Sequence, residues 1–192
     1  MSHLYANEWM VDTCSLGQLR TLVAEEHYAR GSSNTATFRH GLYRRKEWPF
    51  VLSGAAQWIP PTRGAAEATL RQLEMDADWR RVLALSRFVI APDVPTNGAS
   101  YLLGRSIRLV RQSGAWDVLV TYADERHGHK GTIYLATNWR YIGESVADAW
   151  TLDGKQLTRK AGPRTRTREQ MIGLGAVELD PMPKHKFAMV VK

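Results

Sequence analysis

The chain is poor in cysteine: among its 192 residues only Cys14 carries a thiol. A single cysteine excludes an internal disulfide, a thiolate zinc cluster and a CxxC redox pair, so a reducing, cytoplasmic setting is expected. Long apolar runs are also missing. No stretch approaches the roughly 20 residues that span a bilayer, and the opening MSHLYANEWM lacks the basic and apolar regions of a secretory leader. No membrane partner is expected. The sequence has no GxGxxG, no P-loop GK[ST], no HExxH and no GxSxG elbow, which removes the commonest nucleotide, zinc and serine-nucleophile signatures.

What is present is an ordinary globular composition with an uneven charge. A hydrophobic fraction of 44% suffices for a core, and the length suits one domain over residues 1–192. Lys and Arg number 26 against 19 Asp and Glu, a net charge of +7. Residues 1–154 hold 17 basic and 16 acidic side chains, whereas residues 155–192 hold 9 and 3. The excess is concentrated in a basic arm at about 154–170, where Lys155, Arg159, Lys160, Arg164, Arg166 and Arg168 follow one another with no acid between them. A localised basic segment on a near-neutral body suggests a polyanion, nucleic acid first; the plain alternative is a solvated basic loop.

Periodicity supplies the element order. Residues 15–29 predict a helix capped by Ser15, with Leu16, Leu19, Leu22, Val23 and Tyr28 on its apolar stripe. Strands are expected at 36–44 and 50–59, joined as a hairpin through Arg45, Lys46 and Glu47, the second ended by Pro60 and Pro61. A helix near 64–75, a strand at 82–90, a helix at 98–112 and an apolar strand at 116–122 follow. A polar loop (124–130), a short helix (132–139), a strand near 140–143, a basic loop at 154–168 and a terminal strand at 186–191 complete the reading. The fold class is α+β: one mixed, mostly antiparallel sheet flanked by helices, with a parallel pair from the unit 82–122.

Three segments carry candidate chemistry. In FVIAPDVPTNGAS a strand feeds a small-residue turn and a helix start. The free N–H groups there attract phosphate, making Asn97, Gly98, Ala99 and Ser100 candidate cofactor-binding residues; the alternative is an ordinary Asn97 helix cap. Asp124, beyond a buried strand, is a candidate base or amine-orienting group, or else a loop cap. His127 and His129 lie beside it, but no third ligand stands at metal-binding spacing, so they are expected to be exposed loop histidines and no metal is expected. Tyr134, in the next element, either donates a proton or packs.

The stretch FVIAPDVPTNGASYLLGRSIRLV, followed by DVLVTYAD and GTIYLATNWRYIGE, resembles the core of the GNAT acyltransferase superfamily. More narrowly, LSRFVIAPDVPTNGAS with TYADERHGHKGTIYLATNWRYIGE, together with HYARGSS and LSGAAQWIPPTR, resembles the Mom family of phage Mu-type DNA-modification proteins. The likeness implies a GNAT-like single domain acting as a transferase. It would add a small acyl-derived, carbamoylmethyl-type group to adenine N6 of double-stranded DNA and so protect phage DNA from restriction. It implies Arg87, Ser100, Asp124 and Tyr134 as catalytic candidates, and acetyl-coenzyme A or another acyl donor as cosubstrate. Double-stranded DNA is the expected partner, with the basic arm on its backbone, and a homodimer is carried as a further assembly. Two other classes stand beside this one: an N-acyltransferase acting on a small amine or protein, and a non-catalytic DNA-binding module.

Overall fold

A computed structural model of the protein describes residues 3–27, 31–157, 159–161 and 164–192. The elements are β1 (Trp9–Thr13), α1 (Leu16–Glu26), β2 (Phe38–Arg44), β3 (Leu52–Ile59), α2 (Arg63–Gln72), β4 (Val82–Ile90), α3 (Gly98–Gln112), β5 (Val118–Asp124), α4 (Thr132–Ala136), β6 (Arg140–Leu152), β7 (Lys155–Leu157), β8 (Lys160–Ala161), β9 (Arg164–Thr165), α5 (Arg168–Gly173) and β10 (Val177–Val190). The chain forms two compact units, the first of residues 1–122, 131–143 and 186–192, the second of 123–130 and 144–185.

In the first unit the strands follow the order β1-β2-β3-β4-β5-β10-β6. The hairpin β2–β3 and the pair β3–β4 are antiparallel, and β4 and β5 run parallel, as the strand–helix–strand sequence requires. Helix α1 begins in a capping box: Ser15 Oγ accepts from the Gln18 amide at 3.1 Å, and Gln18 Oε1 accepts from the Ser15 amide at 3.0 Å. Leu19, Leu22 and Val23 pack with Tyr43, Ala55 and Val89 on the sheet. The helix stops at Glu26 rather than 29, and Tyr28 lies outside the described residues. On α3, Leu102, Leu103, Ile107 and Val110 are buried at the 3.6-residue period.

A polar network locks α3 to the sheet. Ser106 Oγ accepts from Trp58 Nε1 at 2.7 Å and lies 2.7 Å from His40 Nδ1. All three residues are buried, and burial pushes His40 down from 6.5 to about 4, so the ring is neutral.

Five expectations need correction. Strand β1 was not anticipated: WMVDT shows no regular alternation, and its pairing is to β2, with Trp9 opposite Arg44, 35 residues later. The strand expected near 140–143 runs to Leu152, and the one expected at 186–191 begins at Val177. The basic segment read as loop holds three short strands. Asp153 and Gly154, both at positive φ (51° and 72°), form the turn that pairs Leu152 with Lys155; Asp-Gly is the residue pair such tight hairpins favour. Lys160↔Thr165 and Ala161↔Arg164 form the next ladder. Finally, α5 was not anticipated, although Thr167 and Gln170 form a capping box at its start.

Candidate functional site

In the first unit the candidate site centres on the fork between β4 and β5. The parallel ladder runs through Val82↔Val118, Leu83↔Leu119 and Ala84↔Val120. One residue further, the pairing is taken over by a side chain: Thr121 Oγ1 donates to the Leu85 carbonyl at 3.3 Å. Strand β4 then continues to Ile90 and leads into the turn before α3.

Tyr134 sits beside this fork. Gly131 opens α4 at φ 75°, and a Cβ there would lie 2.3 Å from the Phe187 ring, so only glycine fits. That turn delivers Tyr134 into an aromatic cage, 5.3 Å from the Phe187 centroid and 5.7 Å from that of Trp139. Burial pushes its phenol above the usual tyrosine value, with a hydrogen bond to Thr121 opposing. A raised phenol stays protonated near neutral pH. It can give a proton but not take one.

The turn before α3 is built differently from a capped helix. Asn97 makes no side-chain cap. Instead its amide binds the N-terminal segment, accepting from the Leu4 amide at 2.6 Å and donating to the Leu4 carbonyl at 3.2 Å. The expected alternative of an Asn97 cap is therefore corrected. Gly98 is buried, and a Cβ on it would lie 2.2 Å from Val94 Cγ1. Its N–H goes to the Pro95 carbonyl at 2.8 Å, and the Ser100 hydroxyl donates to the Asn97 carbonyl at 2.9 Å. The first turn of this fifteen-residue helix carries no acidic side chain. With no side-chain cap from Asn97 and no acid in the first turn, the amides of Ala99 and Ser100 and the helix dipole fit an anionic group such as a donor phosphate.

Arg87 is directed toward backbone: its guanidinium donates to the Gly31 carbonyl at 2.6 Å and the Ser86 carbonyl at 2.7 Å. It thereby ties β4 to the segment after α1.

Asp124 belongs to the second unit. It is the last residue of β5 rather than a loop residue, and it is buried. Oδ1 accepts from the Arg126 amide at 3.2 Å, and Oδ2 lies 2.8 Å from Lys184 Nζ. Burial pushes the carboxyl up, but the Lys184 ammonium and the Arg126 amide outweigh it and hold Asp124 below the ordinary carboxylate range. The loop-cap alternative is thus present together with an ion pair that sequence reasoning missed. Lys184 lies in PMPKHKF, where nothing local marks it as a partner sixty residues from Asp124. Nearby, His185 lies 3.4 Å from Glu125 and 3.8 Å from Glu144. His127 is half-buried and His129 exposed, and no metal-binding group of three His, Cys, Asp or Glu occurs among the described residues.

The basic side chains also lie in the second unit. Arg164 is exposed, Arg159 Nε donates to the Arg166 carbonyl at 2.8 Å, and Arg168 is paired with Glu178 at 2.8 Å. Lys155 is exposed on β7, and Lys160 lies on β8. Thr121 and Lys184 are the two functional candidates the sequence did not reveal. A hydroxyl within the buried run DVLVTYA is the signal that would have marked Thr121, since a buried polar group needs a partner.

Comparison with known proteins agrees with this architecture. The sequence profile of the Mom protein family matches residues 8–187. The chain is 28% identical over 156 residues to the methylcarbamoylase Mom of Escherichia phage Mu, covering 78% of this chain and 60% of the relative. Among solved structures, Arabidopsis thaliana NAA60 with a bisubstrate analogue matches with a TM-score of 0.61 at 9% identity, covering 95% of this chain and 97% of that one. An N-acetyltransferase from Staphylococcus aureus matches at TM-score 0.57 and 12% identity, covering 96% and 99%. Spermidine N-acetyltransferase from Vibrio cholerae, in complex with CoA and spermine, matches at 0.54 and 10%, covering 96% of each. The fold is GNAT-like, an α+β architecture with a mixed sheet flanked by helices. The profile match spans most of the chain, so the chain belongs to the Mom protein family.

Proposed function

We propose that this member of the Mom protein family is a transferase that adds a small acyl-derived, carbamoylmethyl-type group to adenine N6 in double-stranded DNA, using an acyl-coenzyme A or related donor. The observation that carries the proposal is the family match over residues 8–187 on an acetyltransferase-like fold. In this reading the DNA is phage DNA in a host cytoplasm, and the adduct shields it from restriction.

The roles follow from the chemistry of the residues. The amides of Ala99 and Ser100 hold the donor's phosphates at the start of α3. Tyr134, kept protonated by burial, gives a proton to the leaving group. The adenine amine is a weak nucleophile whose nitrogen turns acidic as its new bond to carbon forms. Asp124, held ionised by Lys184, accepts a hydrogen bond from that N–H and then takes up the proton. The N6–C bond forms as the bond from the same donor carbon to its leaving atom breaks; the N6 proton goes to Asp124, and the leaving atom takes its proton from Tyr134. Arg87, tied to Gly31 and Ser86, positions the strand that lines the donor path. The target base is inaccessible within a duplex and must be flipped out.

The test is nuclease protection. DNA from cells expressing the wild type resists a restriction nuclease with adenine in its site, and DNA from cells expressing Asp124→Asn is cut. Complete digestion of wild-type DNA would overturn the proposal, and amine acetylation without DNA modification would favour an ordinary N-acyltransferase instead.

A further inference from the structure

The second unit contains a pocket of about 720 Å³ bordered by the β8–β9 hairpin and α5. Its lining has a consistent chemistry. Arg164, Thr165 and Arg166 line it beside Ala161 and Leu174, and no acid is among the described lining residues. Gln170 also lines the pocket, and its orientation is fixed: Oε1 accepts from the Thr167 amide at 2.9 Å, which leaves the NH₂ end as donor. A mostly apolar lining that includes two arginines, with no acid among the described residues, suits a ligand that pairs an anion with a flat, acceptor-bearing ring.

The walls are anchored. Lys160↔Thr165 and Ala161↔Arg164 pair across the hairpin, and the Arg166 amide extends it by donating to the Arg159 carbonyl at 2.8 Å. Helix α5 is held by Met171, fully buried against Trp150 and Ala176. Arg168 is not among the lining residues and pairs with Glu178.

We propose that this pocket is a nucleotide subsite for the DNA substrate, taking one unstacked nucleotide with its phosphate on Arg164 and Arg166 and its base against Leu174. The inference rests on the DNA-modification reading and sharpens it: binding by the basic segment is localised in a pocket rather than spread along an arm.

The experiment measures affinity and salt dependence of the full-length protein for a short single-stranded oligodeoxynucleotide and for its duplex. The variants are Arg164→Ala, Arg166→Ala, Arg168→Ala and Leu174→Ala, each confirmed folded by thermal melting. Arg164→Ala and Arg166→Ala are expected to weaken binding about tenfold each, and to reduce the duplex salt slope by about 0.9 each. Arg168→Ala leaves both nearly unchanged. Leu174→Ala weakens single-strand binding about threefold with no change in salt slope, because it removes apolar contact and no charge. Equal losses at all three arginines with no effect at Leu174 would overturn the pocket in favour of a diffuse arm. If the wild type protects DNA in cells while Arg164→Ala and Arg166→Ala bind normally, only the subsite fails. If the wild type neither binds nor protects DNA, the underlying reading fails.

Discussion

Asp124 and Lys184 form an ion pair in the second unit, and the ammonium works against burial on the carboxyl. An ammonium 2.8 Å from a buried carboxylate favours its ionised form. Activity that needs the carboxylate is therefore retained above the lowered Asp124 value and lost only as pH falls through it. Lys184→Met removes the ammonium and leaves burial in charge, so the acid limb of the activity profile moves to higher pH. Lys184→Arg moves it back toward wild type. A pH–rate profile of the three proteins checks this; superimposable acid limbs would show that Lys184 does not tune Asp124. Tyr134 allows a sharper test of chemistry against packing. Tyr134→Phe keeps the contacts with Phe187 and Trp139 but removes the hydroxyl, so modification drops about a hundredfold or more while the melting temperature shifts little. Normal modification with a lowered melting temperature would reduce Tyr134 to a core residue.

The elements hold the fork through contacts that single substitutions can open. Ser106→Ala removes the oxygen shared by His40 and Trp58 and leaves the buried Trp58 N–H and the His40 ring nitrogen without that partner, at a cost of about 1–3 kcal/mol. The same network makes stability pH-dependent. Folded His40 takes up its proton only near pH 4, whereas the unfolded chain does so near 6.5. Below about 6.5 the unfolded state binds more protons, so stability is lost as pH falls toward 4. Melting at pH 7 and pH 5 checks this, and His40→Gln flattens the difference. At the start of α3, Gly98→Asp forces a Cβ against Val94, which would stand only 2.2 Å away. It destabilises the fold as well as the turn proposed to hold the donor, and a melting curve equal to wild type would contradict that packing.

The elements also mark how far the sequence could be read. The hairpin β2–β3, helix α3 and the parallel pair β4–β5 were legible because each carries its own period and its own stop signals. Strand β1 was not, since an edge strand is defined by its partner rather than by its own pattern. The Asp153-Gly154 hairpin was overlooked because the surrounding charge pointed to a loop. Among the candidate residues, Asp124 and Tyr134 each stood out by place in the motif. Lys184 and Thr121 did not, because what makes them relevant is a contact through space.

Across the molecule, charge and fold divide the labour. The first 154 residues carry +1 and the remaining residues +6, and the second unit holds the basic hairpins. Affinity for duplex DNA should therefore fall steeply with salt and depend little on sequence, since phosphate contacts position without specifying. Titrations against unrelated duplexes at two salt concentrations measure this. The proposed product is the adenine adduct itself. The most direct measurement is the mass of deoxyadenosine recovered by complete digestion of DNA from cells expressing the wild type and Asp124→Asn. A heavier deoxyadenosine whose added mass matches a carbamoylmethyl-type group, present with the wild type and nearly absent with Asp124→Asn, is the predicted result. Unmodified deoxyadenosine from both, with the wild type folded and abundant, would contradict it.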